Sequence, residues 1–296
     1  MKKNVVIGIG EILWDILPSG KRLGGAPANF AYDAAALGAR GCIVSAVGND
    51  SPGREIIERI RQAGLDSEYI AIDARYPTGT VTVRVNAKGV PSFTIHEGAA
   101  WDNIEFTGIT ENLAAAADAV CFGTLAQRSE TSRKSIFRFI ESVPTDCLCI
   151  FDVNLRQRYY SSEIIRESLQ KCDVLKLNEQ ELPVISEILS ISGSESEILQ
   201  RMILDCGLKL VALTLGEKGS RLASSSEVSF LEAMKVPVVD TVGAGDAFTA
   251  ALTMGLLQRL PLRVIHENAT RLAGFVCTHH GAASEMAAIQ DFMGSF

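Results

Sequence analysis

The sequence predicts an α/β fold: a doubly wound, mostly parallel sheet with helices on both faces, plus a small β lid. Three observations predict it. Short apolar runs of strand length alternate with stretches of helical pattern along most of the chain. Those runs are continuously apolar, as strands covered on both faces are. One segment, Thr80–Asn86, instead alternates strictly, as a strand with one wet face does. The 296 residues are read as one α/β domain, 1–296, with a β-hairpin lid inserted at 78–101.

In chain order, Asn4–Gly10 is a β-rich run ending in Gly and reads as a buried parallel strand. Ala26–Leu37 is Ala-rich and helical, stopped by Gly38. Cys42–Val47 is a strand, and Pro52 opens a helix over Gly53–Ala63. In the hairpin, Val81, Val83 and Val85 share one face, Ala87–Pro91 turns, and Ser92–Glu97 returns. Further strands are expected at Ala119–Gly123, Cys147–Val153, Val174–Leu177, Leu210–Leu215 and Val236–Val239. Helices are expected at Ser129–Ser142, Ser161–Cys172, Glu179–Leu189, Glu195–Cys206 and Ala247–Leu257. The Ser-rich pieces Ser190–Ser196 and Ser224–Ser226 read as loops.

Composition narrows the class. Lys+Arg 28 against Asp+Glu 35 gives a net charge of -7, and the longest basic run is Lys2-Lys3, so no nucleic-acid partner is expected. No apolar stretch reaches the ~18 residues of a membrane span, so no membrane partner is expected. Glu11 and Asp15 interrupt the apolar N-terminal run, which sets aside a signal peptide. Seven Cys, none with CxxC spacing, read as reduced core thiols of a cytoplasmic protein. An acidic chain that handles phosphate must do so locally, with backbone amides, a metal or a few placed cations.

Asp240-Thr241-Val242-Gly243-Ala244-Gly245-Asp246 opens a helix. Small residues there let an anion approach the free N–H groups of the first turn, where the helix dipole adds positive charge. Asp246 in the same turn would repel a resting phosphate. It makes sense if the carboxylate addresses an attacking alcohol while the amides address a migrating phosphoryl group. An Asp that merely caps a Gly-rich helix start is the plain alternative. The chain carries no GxxxxGK[ST], and Gly8-x-Gly10 lacks the third glycine of a dinucleotide fingerprint.

Gly24-Gly25-Ala26-Pro27-Ala28-Asn29 together with Asp240–Asp246 resembles the paired signatures of the ribokinase-like (pfkB) carbohydrate kinases. Asp152-x-Asn154-x-Arg156, Asn178-x-x-Glu181, Thr214-x-Gly216-x-x-Gly219, and Asn268 before a small-residue helix ending near Gly281-Ala282 follow in the family's order. The likeness spans essentially the whole chain. It implies an ATP-dependent sugar kinase with Asp246 as base and Gly243, Ala244 and Gly245 as anion hole. Asp15, Gly25 and Asn29 would hold sugar hydroxyls. Asn178 and Glu181 would organise Mg²⁺ through water. Thr214, Gly216, Gly219 and Asn268 would line the nucleotide pocket. A K⁺ ion would be held by carbonyls at Asp240, Val242 and the Val276–Gly281 segment.

Residue chemistry stands beside these roles. Asp15 and Asn29 suit vicinal hydroxyls, or are a turn Asp before Pro18 and a helix-surface Asn. Arg156 braces a phosphate or substrate oxygen with its planar fork, or is solvated beside Arg158. Asn178 and Glu181, three apart, also fit a capping box. Trp101 covers a sugar face or anchors the lid base. His96 touches sugar or is a plain strand histidine.

Thr78–Val83, Ser92–Glu97 and Asp152–Arg156 resemble bacterial fructokinases within the family, although its usual Leu-Trp is replaced near Tyr159-Tyr160. Fructose is therefore the expected sugar. A 2-keto-3-deoxygluconate kinase, for which Arg84 would meet a carboxylate, and a ribokinase are the alternatives. A sugar-sensing pseudokinase is the non-enzyme reading, and a dehydrogenase is the poorer third. The apolar hairpin face needs a second surface, since a lone hairpin buries too little to order itself. A second subunit's lid would make a homodimer; the rival arrangement folds the lid onto its own domain.

Overall fold

The computed structural model describes residues 3–18, 20–85, 91–281 and 286–294. Its strands are β1 (Val5–Ile9), β2 (Leu13–Leu17), β3 (Gly20–Gly24), β4 (Arg40–Gly48), β5 (Ile70–Asp73), β6 (Gly79–Val85) and β7 (Pro91–Ile95). They continue with β8 (Ala119–Phe122), β9 (Leu148–Asp152), β10 (Val174–Asn178), β11 (Leu210–Thr214), β12 (Ser220–Ala223) and β13 (Val228–Leu231). The helices are α1 (Ala26–Ala36), α2 (Ser51–Gln62), α3 (Gly108–Ala114), α4 (Glu130–Glu141), α5 (Ser162–Leu169), α6 (Glu181–Leu189), α7 (Glu195–Cys206), α8 (Ala244–Leu257), α9 (Leu262–Cys277) and α10 (Met286–Met293).

Nine strands form one sheet in the order β13-β12-β11-β10-β9-β8-β1-β4-β5. From β11 to β5 every pairing is parallel, while β12 and β13 add antiparallel at one edge. The buried strands are mostly apolar because helices cover both faces, with Asp152 in β9 and Lys176 in β10 as charged exceptions. Phe122, Phe139 and Phe151 mark the core on the α4–α7 side. Phe30, Phe248, Leu252 and Leu272 mark the core under α1, α8 and α9. Helix starts follow local chemistry. Asp50 accepts the Gly53 amide at the head of α2, and Ser194 forms a capping box with Glu197 at the head of α7.

A second, four-stranded sheet has the order β3-β2-β6-β7. The expected hairpin is its β6–β7 pair, and its turn falls on residues 86–90, outside the described residues. The other half was not expected: β2 runs parallel to β6, setting Asp15 opposite Val81, and β3 lies antiparallel to β2. Val81 and Val83 are 6% and 7% exposed and join the same core as Trp101 and Ile104. At Val81 and Val83 the apolar face is thus covered by this chain's own domain, at about 1.5–3 kcal/mol per buried valine. The Val85 side chain lies outside the described residues. These two valines need no second subunit to cover them.

Two expectations are corrected. Val236–Val239 forms no strand; Pro237 offers no N–H, no neighbouring strand pairs with it, and Val238 is exposed. Asn268 does not precede a helix but lies within α9.

Candidate active site

The cleft forms where the parallel strands end, the usual place for ligands in such sheets. β1, β9 and β10 deliver Glu11, Asp152 and Asn178 there, and α1 and α8 begin beside them. Gly25 is the N-cap of α1, where a Cβ would lie 2.3 Å from the Glu11 carbonyl. That close approach brings Asn29, one turn on, against the head of α8. Asn29 Nδ2 donates to Asp246 Oδ2 at 2.7 Å.

Asp246 lies in the first turn of α8, whose N-cap Gly243 is left-handed and lacks a side-chain cap. The helix start therefore offers first-turn amides to an anion, although the Ala244 amide also reaches the Thr241 carbonyl at 3.3 Å. Burial, then the charge of Asp152, raises Asp246 to about 6, against the pull of the Asn29 hydrogen bond, Lys176 and Arg156. A carboxylate with that pKa is ionised at neutral pH yet basic enough to take a proton.

The small sheet supplies the opposite wall. Asp15 on β2 is raised to about 6 by burial, with Arg156 and Arg22 pulling it down. Arg156 is exposed, yet its charge acts on Glu11, Asp15 and Asp246 together. Arg158 points elsewhere and pairs with Glu97. Arg22 on β3 donates to Asp240 Oδ2 at 2.7 Å. The same oxygen accepts the Gly281 amide, and Oδ1 accepts the Val242 amide. Burial pushes the Asp240 carboxyl up, but those amides and Arg22 outweigh it and hold it below the usual range. Asp240 thus organises the loop through Val242 and Gly281 with its side chain, while in the Val276–Gly281 segment the Cys277 carbonyl already accepts the amides of Val239 and Asp240 and the Val276 carbonyl that of His279.

At the end of β10, Asn178 Oδ1 accepts the amides of Gln180 and Glu181, while Glu181 Oε2 accepts the Asn178 amide and Oε1 that of Leu155. The capping-box reading is therefore present in the geometry. Both carboxylate oxygens already hold an amide, which suits hydrogen bonds to a metal's water shell better than direct ligation. Thr214 ends β11 beside them, and Gly216 and Gly219 form the following turn. Asn268 is half-buried within α9.

Trp101 does not face the cleft. It is 1% exposed and packed under the small sheet with Arg128 stacked on its ring at 4.0 Å, so it anchors the lid base. His96 meets Thr82 Oγ1 at 2.9 Å, as a plain strand histidine does. The Arg84 side chain lies outside the described residues.

This constellation can be compared with known proteins. The pfkB family carbohydrate kinase pattern matches residues 3–288. The chain belongs to that family. A sugar kinase of Pyrococcus horikoshii, itself uncharacterised, is 31% identical over 272 residues, covering 86% of this chain and 83% of its own. A fructokinase of Klebsiella pneumoniae is 31% identical over 262 residues, covering 84% and 83%. The Pyrococcus protein's crystal structure superposes with TM-score 0.85 at 28% identity, covering 99% of both chains. Its ATP complex gives 0.83 at 29%, covering 97% of both.

Sequence reasoning missed Glu11 and Lys176 at the centre of this pfkB kinase, and picked out Asp152 only as part of a motif, without a role. Glu11 is 3% exposed and is raised to about 7, chiefly by burial. Lys176 and Asp152 form a buried ion pair at 3.0 Å, and Thr249 Oγ1 donates to the other Asp152 oxygen. A charged residue inside an otherwise apolar strand run (Lys176 in Val174–Asn178) was the available signal. Among the described residues no cluster of three or more metal-ligating side chains is preformed, and no helix is long and apolar enough to cross a membrane.

Proposed function

We propose that this pfkB sugar kinase transfers the γ-phosphoryl group of ATP, with Mg²⁺, to a primary hydroxyl, C6 of fructose. The observation that carries the reading is Asp246: a buried carboxyl at about 6, oriented by Asn29, in the same turn as an uncapped Gly-rich helix start. Asp246 accepts the hydroxyl proton as the oxygen attacks, and the amides of Gly243, Ala244 and Gly245 receive the charge of the migrating group. Asp15, Gly25, Asn29 and Arg156 orient the sugar. Thr214, Gly216, Gly219 and Asn268 border the nucleotide.

Mg²⁺, held through water by Asn178 and Glu181, would neutralise charge on the triphosphate. K⁺ at the carbonyls of Asp240, Val242 and Gly281 belongs to the same reading. The likeness to the Klebsiella fructokinase supports fructose over the alternatives, and the intact base and anion hole speak against a pseudokinase. Seven free cysteines suit the cytoplasm. A homodimer through the small sheet would have to use surfaces other than Val81 and Val83; Phe93, 52% exposed, is available.

A coupled ADP-release assay over fructose, ribose and 2-keto-3-deoxygluconate, with and without Mg²⁺ and K⁺, tests the reading. NMR of the product should show phosphate on C6 of fructose. Better turnover of another sugar removes the substrate assignment, and no turnover of any sugar removes the kinase.

A further inference from the structure

A chain without a P-loop lysine still brings one lysine to its phosphate chemistry. Lys176 is the third residue of β10, two before Asn178 and on the same face of the strand. Its neighbours in the strand are apolar, and its own side chain is 8% exposed. Nζ bonds Asp152 Oδ1 at 3.0 Å, on the adjacent strand in direct register. Thr249 Oγ1 lies 3.2 Å from the other Asp152 oxygen and 2.8 Å from the Gly245 carbonyl, its single proton shared between them. Nζ itself lies 3.0 Å from where a Cβ on Gly245 would stand. A side chain at Gly245 would press on the ammonium, which would have to shift by a few tenths of an ångström.

We propose that Lys176 is a positioning residue of the phosphoryl-transfer site. Its ammonium, set beneath Gly245, fixes Asp152, Thr249 and the first turn of α8, and puts a buried positive charge behind the amides that receive the phosphoryl group. The proposal rests on the kinase reading above. A lone buried ammonium would be costly, but it faces Asp152 on β9, Glu181 at the head of α6 and Asp246 on α8. Burial alone would lower the lysine, and the three carboxylates outweigh it, raising it above its ordinary value. A charge in a water-poor site acts on its neighbours far more than one at the surface.

The groups facing Asp246 are Asn29 and Asp33 from α1, Glu11, Asp152, Lys176 and Arg156. Among them Asn29, Lys176 and Arg156 hold the base down, Asn29 most and Lys176 as the buried charge. The first test is Lys176→Met, read by carboxyl ¹³C NMR of Asp246 in the ligand-free protein. The expected result is a rise in the Asp246 pKa by half a unit or more; an unchanged pKa overturns the proposal.

That variant leaves Asp152 buried without its partner and can fail to fold. The second test is therefore Lys176→Met with Asp152→Asn, which removes both charges. It should melt within a few degrees of wild type and bind sugar normally by calorimetry. Its kcat should fall roughly 10²-fold, the usual worth of a preorganised group facing a developing anion. A double variant with kcat within about threefold of wild type would show that Lys176 serves only to neutralise Asp152, and overturns the proposal. If the wild type itself turns over no sugar while the NMR shift appears, the kinase reading fails and the coupling of Lys176 to Asp246 stands.

Discussion

Asn29 and Asp246 are 217 residues apart in sequence, and the amide of one donates to the carboxylate of the other across 2.7 Å. The bond joins the first turn of α1 to the first turn of α8. It occupies Oδ2, so Oδ1 is the oxygen placed to receive a hydroxyl proton.

Asp246→Asn should reduce kcat by roughly 10²–10⁴ while sugar binding survives, because an amide does not accept the proton. It should also stabilise the protein. The carboxyl is raised from 3.8 to about 6 on folding, so wild type loses stability as pH climbs through that window. At neutral pH the variant should gain about 3 kcal/mol at most. Kinetics and thermal melts on the same preparation check both effects; near wild-type kcat would remove Asp246 as the base.

Asn29→Ala should raise KM for sugar and leave nucleotide affinity alone. It also removes the hydrogen bond that lowers the Asp246 pKa. The acidic limb of the pH–kcat profile should therefore move to higher pH. Calorimetry with each ligand separately, and the profile of the variant, test this. A selective loss of nucleotide binding would contradict it.

In wild type, kcat should fall about tenfold for each unit of pH below about 6, as the base becomes protonated. Asp15 titrates in the same range, so sugar affinity should weaken over that interval too. A flat profile between pH 7 and pH 5 would mean that neither carboxyl is used as described.

Val83→Asp should unfold or strongly destabilise the small sheet, since the valine is buried within its own chain. The melting temperature should drop, with any change in oligomeric state secondary to that. Light scattering alongside melts separates the two; a stable variant that merely dissociates would restore the intersubunit reading.

How far the sequence could be read depended on what each segment contacts. β1, β8, β9, β10 and β11 were legible because strands buried on both faces are nearly all apolar, Asp152 and Lys176 being the charged exceptions. β2 and β3 were not: Leu13–Leu17 carries Asp15, and Gly20–Gly24 is Gly-Lys-Arg-Leu-Gly, so both are strands only because β6 offers a partner edge. Val236–Val239 failed in the opposite sense, apolar but without a neighbour to pair with. Asp246 and Asn29 could be picked out because helix starts advertise small and polar residues. Glu11, Asp152 and Lys176 sit at strand ends or within strands, and their mutual neutralisation exists only once the sheet has assembled.

The Arg22–Asp240 ion pair links a strand of the small sheet to the loop that leads into α8. In the proposed reading Asp15, beside Arg22, faces the sugar, and Gly243, three residues beyond Asp240, faces the phosphate. If fructose shifts the small sheet, this guanidinium is one route, alongside the Asn29–Asp246 bond, by which the motion reaches α8. The consequence is a coupling free energy, and linkage makes it symmetric: whatever factor sugar adds to nucleotide affinity, nucleotide must add to sugar affinity. Arg22→Ala should shrink both factors equally. Calorimetric titrations of each ligand in the presence and absence of the other would close that thermodynamic square.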